Sequence, residues 1–498
     1  MQRTACRHLA DRSWHHSTSS WADAFLQPLR QFLRRRERVQ RHSSGAVLVA
    51  LCCASCAQLP SRPSAEPAKG NVAQAVVVRD QRGVVPPAVE DRVIASVKAE
   101  GDGDLAEHHL RVLAAQGERD LYRGNAARLL VDGPATFAAM KVAIERARGR
   151  VLLESYIVDD GAMADELAAL LSRKATQGVQ VAFMYDGLGS FATGQAYFDR
   201  LAAAGVALCK FNPVNPLERP GYWDINHRDH RKVLVVDQDV AFTGGINISR
   251  VYASGSFGRG HAPPSDPLRD GWRDTQVELR GPVVQAFARG FERVWASQRC
   301  AALPARALPA SRPVSGQRVV KLLESDPADR QNSIYTTLLA AIDAAQRRID
   351  LTMAYFAPGP DMIDALANAA RRGVDVTLVL PGRSDFSLVL HAGRAYYDAL
   401  LDAGVHIYEM DDAVMHAKTA VVDGVWSTVG SSNMDWRSFV ANHEVNAIVI
   451  GRDFGEALEA QFRIDLARSR PIDHVAWQQR GWGQRVMEQV GRFAERLL

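Results

Sequence analysis

The chain has 498 residues, of which 47% are hydrophobic and 23% are charged. This length is more than one ordinary hydrophobic core accommodates, so we expect two domains with additional segments. The net charge of +4 is compatible with binding anionic phosphate groups. It does not indicate a nucleic-acid-binding protein, because such a protein usually concentrates its basic residues on one face.

Residues 1–57 are expected to form an N-terminal extension that ends in a signal-like segment. Several arginines precede an apolar run over residues 45–56. The run is too short to span a bilayer comfortably and suits the hydrophobic region of an export signal. The Arg-, His- and Ser-rich residues 1–38 leave open a translation start near Val39.

Cys56 is the expected lipidation site, because the small residues Ala54 and Ser55 before it resemble the end of a bacterial lipoprotein signal. Cys53 departs from that pattern, which usually has an aliphatic residue at this position. An uncleaved membrane anchor is the alternative. In both cases we expect the protein to be held at a bacterial cell membrane. The sequence does not determine which face of the membrane carries the active site, and the periplasmic face is one possibility.

The segment over residues 58–117 is rich in Pro, Ala, Ser and Val up to about Gly101 and is predicted to be a tether followed by a short helix over residues 104–116. Only Cys209 and Cys300 lie in the body of the chain. Because buried free cysteine is common, we expect two free thiols there and not a disulfide.

A strand–helix–strand pattern occurs twice. Its copies cover residues 151–158, 163–174 and 179–185, and residues 349–356, 361–372 and 374–380. Such units predict an α/β fold of two tandem domains, each a mixed sheet flanked by helices, over residues 118–300 and 316–470. The two domains would form one pseudo-symmetric unit, joined by a Pro- and Ala-rich linker over residues 301–315.

Residues 471–498 form an amphipathic segment. Its apolar residues recur at helical spacing: Val486, Met487, Val490, Phe493 and Leu497. The spacing predicts a helix, and a helix docked on its own domain is favoured over one that lies on a membrane surface.

Each copy ends in the same arrangement of polar residues: His and Lys separated by one residue, then an Asp, then a turn of small residues and an Asn. The first set is His230, Lys232, Asp237, Gly245 and Asn247. The second set is His416, Lys418, Asp423, Ser431, Ser432 and Asn433. Because residues i and i+2 of a strand point to the same side, each His and Lys should project together into one shared site.

These side chains suit a phosphodiester substrate. A neutral histidine can attack phosphorus and form a phospho-histidine, while a second, protonated histidine donates to the leaving alkoxide. The lysines, the asparagines and the turn residues Gly245, Ser431 and Ser432 would bind the non-bridging oxygens as charge builds on them. No metal-ligand spacing occurs, so we expect neither a metal nor another cofactor.

The pattern HxKxxxxD, followed by a small-residue turn and Asn, resembles the phospholipase D superfamily over roughly residues 118–480. Residues 272–274, 391–394, 430–439 and 442–446 are similar to the bacterial cardiolipin synthase branch. The resemblance therefore implies tandem phospholipase D-like domains that share one active site.

The same resemblance implies roles for single residues. A carboxylate would hold each histidine ring, Asp274 in the first half and Glu444 in the second, so that each half has its own carboxylate partner. His230 would be the nucleophile and His416 the acid and base, although the two halves are symmetric on this point. We interpret Asp237 and Asp423 as structural members of the motif.

The expected reaction is the transfer of a phosphatidyl group to a hydroxyl group of a second lipid. Phosphatidylglycerol as donor and acceptor would give cardiolipin and glycerol. The expected partners are phospholipids and a membrane surface, not nucleic acid. A phospholipase D-type hydrolase is the nearest alternative, because water can attack the same intermediate; a nuclease and a non-enzymatic lipid-binding protein are less favoured. The acceptor alcohol and the oligomeric state stay open.

Overall fold

The computed structural model describes residues 59–60, 62, 76–99, 102–159, 161–218, 224–256, 268–309, 316–328 and 332–497. The expected N-terminal extension, with Cys56, lies outside these residues. Within the described ranges, no helix is both long and apolar enough to cross a membrane.

The helices and strands fall into three groups along the chain. The first group is β1 (Val77–Asp80), β2 (Gly83–Val84), α1 (Pro87–Ala99) and α2 (Gly103–Ala115). The first half contains β3 (Asp120–Val131), α3 (Asp132–Glu145), β4 (Arg150–Ser155), α4 (Ala162–Thr176), β5 (Gln180–Asp186), α5 (Gln195–Ala203), β6 (Ala207–Phe211), β7 (Arg228–Asp229), β8 (Val233–Val236), β9 (Val240–Gly244), β10 (Thr275–Arg280) and α6 (Val284–Ser297).

The second half contains β11 (Arg318–Ser325), α7 (Ser333–Ala344), β12 (Arg348–Met353), β13 (Phe356–Ala357), α8 (Pro360–Arg371), β14 (Asp375–Pro381), α9 (Ser387–Arg394), α10 (Tyr397–Asp402), β15 (His406–Met410), β16 (Lys418–Val422), β17 (Trp426–Gly430), β18 (Met434–Asp435), α11 (Trp436–Val440), β19 (Asn442–Ile450), α12 (Arg452–Ala467), β20 (Ser469–Pro471), α13 (His474–Gln478) and α14 (Trp482–Ala494). Short 3₁₀ turns cover Pro216–Glu218, Arg250–Tyr252 and Glu495–Leu497.

The two halves have the same sheet. The strand order is β6-β5-β4-β8-β9-β10-β3 in the first half. It is β15-β14-β12-β16-β17-β19-β11 in the second. In each half the first three strands are parallel, and the later neighbours are antiparallel. The predicted α/β class, with a mixed sheet in each half, is therefore confirmed.

The inner faces of the two sheets pack against each other in one buried cluster. The first half contributes alternate residues of β8 and β10, and the second half contributes alternate residues of β19 with Val421 of β16 and Val429 of β17. The sheets also join where β3 and β11 pair antiparallel. Each half therefore completes the core of the other. The domain boundaries at 118, 300, 316 and 470 stay predictions.

The predicted tether is wrong for residues 76–99. Strand β1 pairs in parallel with β3, and α1 packs beside α2 through Val93, Ile94 and Val97, which lie in the same buried cluster as the second half. These three residues recur at helical spacing within a Pro- and Ala-rich stretch, and their burial stabilises the helix. The predicted short helix corresponds to α2.

The expectation of two free thiols is also wrong. Cys209 in β6 forms a disulfide with Cys300, and their Cα atoms are 5.7 Å apart. The two residues are 91 positions apart in sequence. They meet because Cys300 follows α6 in the chain, and both residues lie with the cluster that fills the inner side of the first sheet. Spacing along the chain cannot reveal such a contact.

The C-terminal segment forms a helix, α14, that packs against α9 of the second half. The prediction of a docked helix is thus confirmed. Its buried residues are Glu488, Gly491 and Ala494, so the face that docks is polar and small, and the apolar face predicted from the spacing is not the docking face.

Candidate active site

The first His-Lys segment is bound to the backbone of the opposite half. Strand β7 ends directly before His230 and pairs in parallel with the beginning of β19. The backbone N–H of His230 then donates to the carbonyl of His443 (3.0 Å). The residue after that carbonyl is Glu444, and both of its carboxylate oxygens lie 3.0 Å from Nδ1 of His230.

The second His-Lys segment repeats this arrangement. The backbone N–H of His416 donates to the carbonyl of Arg273 (2.7 Å), and the N–H of Arg273 donates to the carbonyl of Val414 (3.0 Å). The following residue, Asp274, places Oδ2 2.7 Å from Nδ1 of His416. In both cases the backbone pairing determines which carboxylate reaches which histidine.

The histidine–carboxylate pairs are therefore crossed between the halves. The family resemblance implies Glu444 beside His416 and Asp274 beside His230, and the structure contradicts that pairing. Equivalent positions in a repeat say where a carboxylate lies in its own half. They do not say whether it faces inward to its own histidine or across to the other one. Each histidine is held by a carboxylate of the other half.

The turn residues Gly245 and Ser431 differ because the two carboxylates differ in length. A Cβ atom on Gly245 would lie 2.6 Å from Oδ2 and 2.7 Å from Cγ of Asp274, so no side chain fits there. At the equivalent position, Ser431 Oγ donates to Oε2 of Glu444 (2.5 Å). Gly245 and Ser431 therefore each lie against a carboxylate. Their contact with the substrate stays a prediction.

Both lysines lie beside the histidine of their own motif. Lys232 donates to the carbonyl of His230, and Lys418 donates to that of His416. Nζ of Lys418 also lies 2.9 Å from Nδ1 and 3.2 Å from Nε2 of the His416 ring. These four residues are at most 8% exposed. The predicted His-Lys pairs therefore lie together in a buried cluster, in the extended segments where β8 and β16 begin.

The two asparagines are buried near these pairs. Asn247 accepts a hydrogen bond from the backbone N–H of Ile157 (3.1 Å). Oδ1 of Asn433 has no hydrogen-bond partner among the described residues. Ser432 donates to the carbonyl of Asn433 (3.1 Å), which orients this turn. Asn433 therefore has a side chain whose polar atom is still available to a ligand.

Aromatic side chains, which the sequence pattern did not reveal, surround the two histidines. Tyr156 packs edge-on against His230, with ring centres 4.9 Å apart. Trp272 lies 5.1 Å from the His416 ring, and Oη of Tyr252 lies 2.9 Å from its Nδ1. Tyr355 is 6.1 Å from the same ring. One signal was present in the sequence: Tyr156 and Tyr355 follow equivalent strands, β4 and β12.

The two motif aspartates lie at the opposite ends of their strands and anchor turns. Asp237 accepts from the backbone N–H groups of Arg148, Gly149 and Arg150. Asp423 does the same for residues 346–348 and also contacts Nε2 of His109 (2.9 Å). Both aspartates have positive φ angles, 52° and 54°. These contacts agree with the structural interpretation of the pair.

Burial dominates the electrostatics of the cluster. It lowers the pKa of His230 well below its usual value, and the Lys232 and Lys418 charges lower it further. Burial, followed by Lys418, lowers the pKa of His416 to about 4. These shifts favour the neutral form of both rings. With a proton on Nδ1 facing a carboxylate, Nε2 of His230 can act as a nucleophile, whereas Nε2 of His416 lies 3.2 Å from Nζ of Lys418.

The pKa values of the two lysines and of Glu444 are shifted in opposite directions. Burial lowers the pKa of Lys232 to about 7 and that of Lys418 to about 8, against the favourable effect of the carboxylates. Burial raises the pKa of Glu444 to about 7 against the effect of Lys232. Shifts of both signs follow from burial, which disfavours the charged form of either kind of group, and such shifts cluster at functional sites.

One group among the described residues brings three candidate metal ligands together: His227, Asp326 and His443, with ligand atoms within 4.8 Å of one another. Its side chains are not those of the two His-Lys pairs. The expectation that catalysis needs no metal stays a prediction.

The repeated sheet and the paired His-Lys-Asn sets define an enzyme of the phospholipase D type. The family model described as "Cardiolipin synthase, PLD-like domain" matches residues 338–466. A cardiolipin synthase of Geobacillus thermodenitrificans is 37% identical over 74% of this chain and 72% of its own length. Cardiolipin synthase A of Pseudomonas putida is 34% identical over 73% of each chain.

The chain belongs to the cardiolipin synthase family. The fold agrees with the crystal structure of a phosphatidylserine synthase from Haemophilus influenzae, with a TM-score of 0.52 and 12% identity. That comparison covers 74% of this chain and 91% of the other. It bears on the fold alone.

Replacing Gly245 by Ala should displace the Asp274 carboxylate and with it the His416 ring. A misplacement of about 1 Å in such a site costs about 100-fold in rate, so we expect kcat to fall by about that factor with little change in KM. The matched control is Gly194→Ala, because Gly194 has φ of −61° and an open Cβ position. Equal activity of both variants would contradict the close packing.

The lysine pKa values predict an unusual pH profile. Each ammonium group is present below its pKa and is lost as the pH rises through it, so kcat/KM should decline from about pH 7–8 upward. An ordinary lysine would hold its charge to about pH 10. The measurement is kcat/KM from pH 6 to 10, set against kcat at saturating substrate, where the bound anion should shift the decline upward. A flat profile to about pH 9.5 would contradict the burial effect.

Proposed function

We propose that the protein synthesises cardiolipin by transferring a phosphatidyl group between two molecules of phosphatidylglycerol, with release of glycerol. The observation that carries this proposal is the pair of buried histidines, each held by a carboxylate of the other half and each beside a lysine. The family supports the substrate class, because its related members are named cardiolipin synthases.

In the first step, Nε2 of His230 attacks the phosphorus of the donor lipid, and a phosphorus–nitrogen bond forms as the bond to the glycerol oxygen breaks. Glu444 accepts from Nδ1 and stabilises the positive charge that develops on this ring. His416 donates its Nε2 proton to the leaving glycerol oxygen. Lys232, Lys418 and the asparagine side chains stabilise the non-bridging oxygens.

The charge balance explains how His416 acquires that proton. Two lysines and two carboxylates lie together in the buried site, and burial lowers the pKa of His416. The phosphodiester brings one further negative charge into the same low-dielectric cluster. That charge favours the protonated form of His416, and it raises the pKa of both lysines. Substrate binding thus favours the protonated His416 that acts as the general acid.

In the second step, the hydroxyl group of another phosphatidylglycerol gives its proton to His416 and attacks the phosphorus, and the bond to His230 breaks. Water could react in the same way, which would make the enzyme a hydrolase. The aromatic side chains around both histidines favour a lipid acceptor, because they limit the room for unbound water and offer apolar surface.

Membrane attachment through the N-terminal signal or through lipidated Cys56 is part of the proposal, since both substrates lie in a bilayer. The Cys209–Cys300 disulfide supports export to an oxidising compartment such as the periplasm, because disulfides do not persist in the bacterial cytosol. The oligomeric state stays open.

The direct test is lipid analysis of cells that lack cardiolipin and express the full chain. We expect wild-type protein to restore cardiolipin and His416→Ala to reduce its formation by about 100-fold or more, as for loss of a general acid. His406→Ala is the matched control, because His406 is exposed at the start of β15.

Two outcomes would count against the proposal. Absence of cardiolipin with both the wild type and the control would exclude a synthase. Phosphatidic acid, formed by the wild type and lost in His416→Ala, would assign the same site to hydrolysis.

A further inference from the structure

The orientation of helix α14 is fixed by its polar face. Glu488 is 1% exposed and accepts hydrogen bonds from the guanidinium group of Arg480 (2.9–3.1 Å). Gly491 allows close contact with α9, since a Cβ atom there would lie 2.9 Å from Cα of Ala392. A buried ion pair and a close helix contact together prevent the helix from turning its apolar side inward.

The side chains that face outward are large and apolar. Trp482 is 82% exposed, Phe493 is 89% exposed, and Val486 and Met487 are 46% and 42% exposed. These four residues are called the outer face of α14. A surface helix of a globular protein normally buries its apolar stripe and exposes its polar one. The reverse arrangement leaves an exposed apolar patch, which marks an interaction surface.

The exposed charges of the same helical region are all basic. Arg485, Arg492 and Arg496 are exposed. The acidic residues of this stretch, Glu488 and Glu495, are buried. A helix that presents Trp and Phe beside arginines, with its acids buried, has the composition of a helix that lies in the interface of an anionic bilayer.

The helix also adjoins the second-half part of the active site. It packs on α9, whose first residue follows Phe386, itself 40% exposed. The preceding Asp385 accepts a hydrogen bond from Tyr355 (2.7 Å), and the Tyr355 ring is 6.1 Å from that of His416. The docked face of α14 therefore adjoins, through α9, the segment that borders His416.

A second contact joins the end of the helical region to the same site. The guanidinium group of Arg496 lies 5.4 Å from the ring centre of Trp436. Trp436 begins α11, three residues after Asn433. Helix α14 and the 3₁₀ turn that follows it are thus joined to two elements next to the active site, α9 and α11.

We propose that the outer face of α14 inserts into the headgroup region of an anionic phospholipid bilayer and orients the active site toward the membrane that holds its substrate. This contact is separate from the proposed N-terminal attachment, which would hold the chain at a membrane without orienting the active site. The favoured occupant is a lipid surface and not a second copy of the chain, because the apolar residues are interspersed with arginines that would repel their own copies across a two-fold axis.

The test uses the full-length protein and the fluorescence of Trp482. Wild type and Trp482→Phe are compared in vesicles of phosphatidylglycerol with brominated acyl chains, which quench tryptophan on contact. The difference between the two spectra reports Trp482 alone, since all other tryptophans are common to both. We expect this difference signal to lose most of its intensity in the anionic vesicles. In vesicles of phosphatidylcholine with the same brominated chains, at physiological salt, it should lose little.

His230→Ala separates this proposal from the proposed function. The variant should form no cardiolipin, yet its Trp482 signal should be quenched as in the wild type. An unquenched Trp482 in anionic vesicles would overturn the membrane contact, whatever the enzyme activity. A Trp482 signal that changes with protein concentration without lipid would assign the face to a second copy and would overturn it too.

A functional comparison rests on the proposed function as well. The double variant Trp482→Gln, Phe493→Gln should need about tenfold more anionic vesicles for half-maximal rate, with unchanged activity on monomeric short-chain phosphatidylglycerol. The control is Val142→Gln, Ile464→Gln, which removes two exposed apolar residues from α3 and α12. Equal vesicle dependence of the two double variants would contradict a role for α14 in orienting the site.

Discussion

Two histidine–carboxylate contacts that cross between the halves hold the site together. Glu444 orients His230, and Asp274 orients His416. Each contact follows from a backbone hydrogen bond made one residue earlier, so the strands and the catalytic groups are positioned by the same pairing. Because these groups are almost fully buried, an oriented carboxylate acts strongly on its histidine. The interface between the halves is therefore part of the active site itself.

The halves reach the same contact with different residues. A shorter Asp reaches His416 only because Gly245 leaves room for its carboxylate, whereas Ser431 supports the longer Glu444 with its hydroxyl group. The surroundings of the two rings also differ. His416 has Tyr252 and Lys418 at its Nδ1 edge, and His230 has the edge of Tyr156. This chemical inequality gives a physical basis for one histidine to attack while the other transfers protons.

Much of this site could be predicted from the sequence, because the repeat places His, Lys and Asn at equivalent strand ends. The paired motifs and the α/β sheets depend on local spacing, which a chain displays directly. The crossing of Glu444 and Asp274 depends on how two sheets face each other, and the Cys209–Cys300 contact joins elements distant in sequence. The polar docking face of α14 was hidden for a related reason: the apolar spacing predicts a helix, but not which side a buried Glu488 fixes inward.

Each of the two buried histidines lies beside a lysine. The proposed reaction requires that His230 forms a covalent bond to the phosphorus of the donor lipid. The most direct measurement is mass spectrometry of enzyme quenched at alkaline pH during turnover of short-chain phosphatidylglycerol. We predict a phosphatidyl adduct on the peptide that contains His230, absent from the His230→Ala variant. An adduct on His416, or product formed with no adduct on either histidine, would contradict the account.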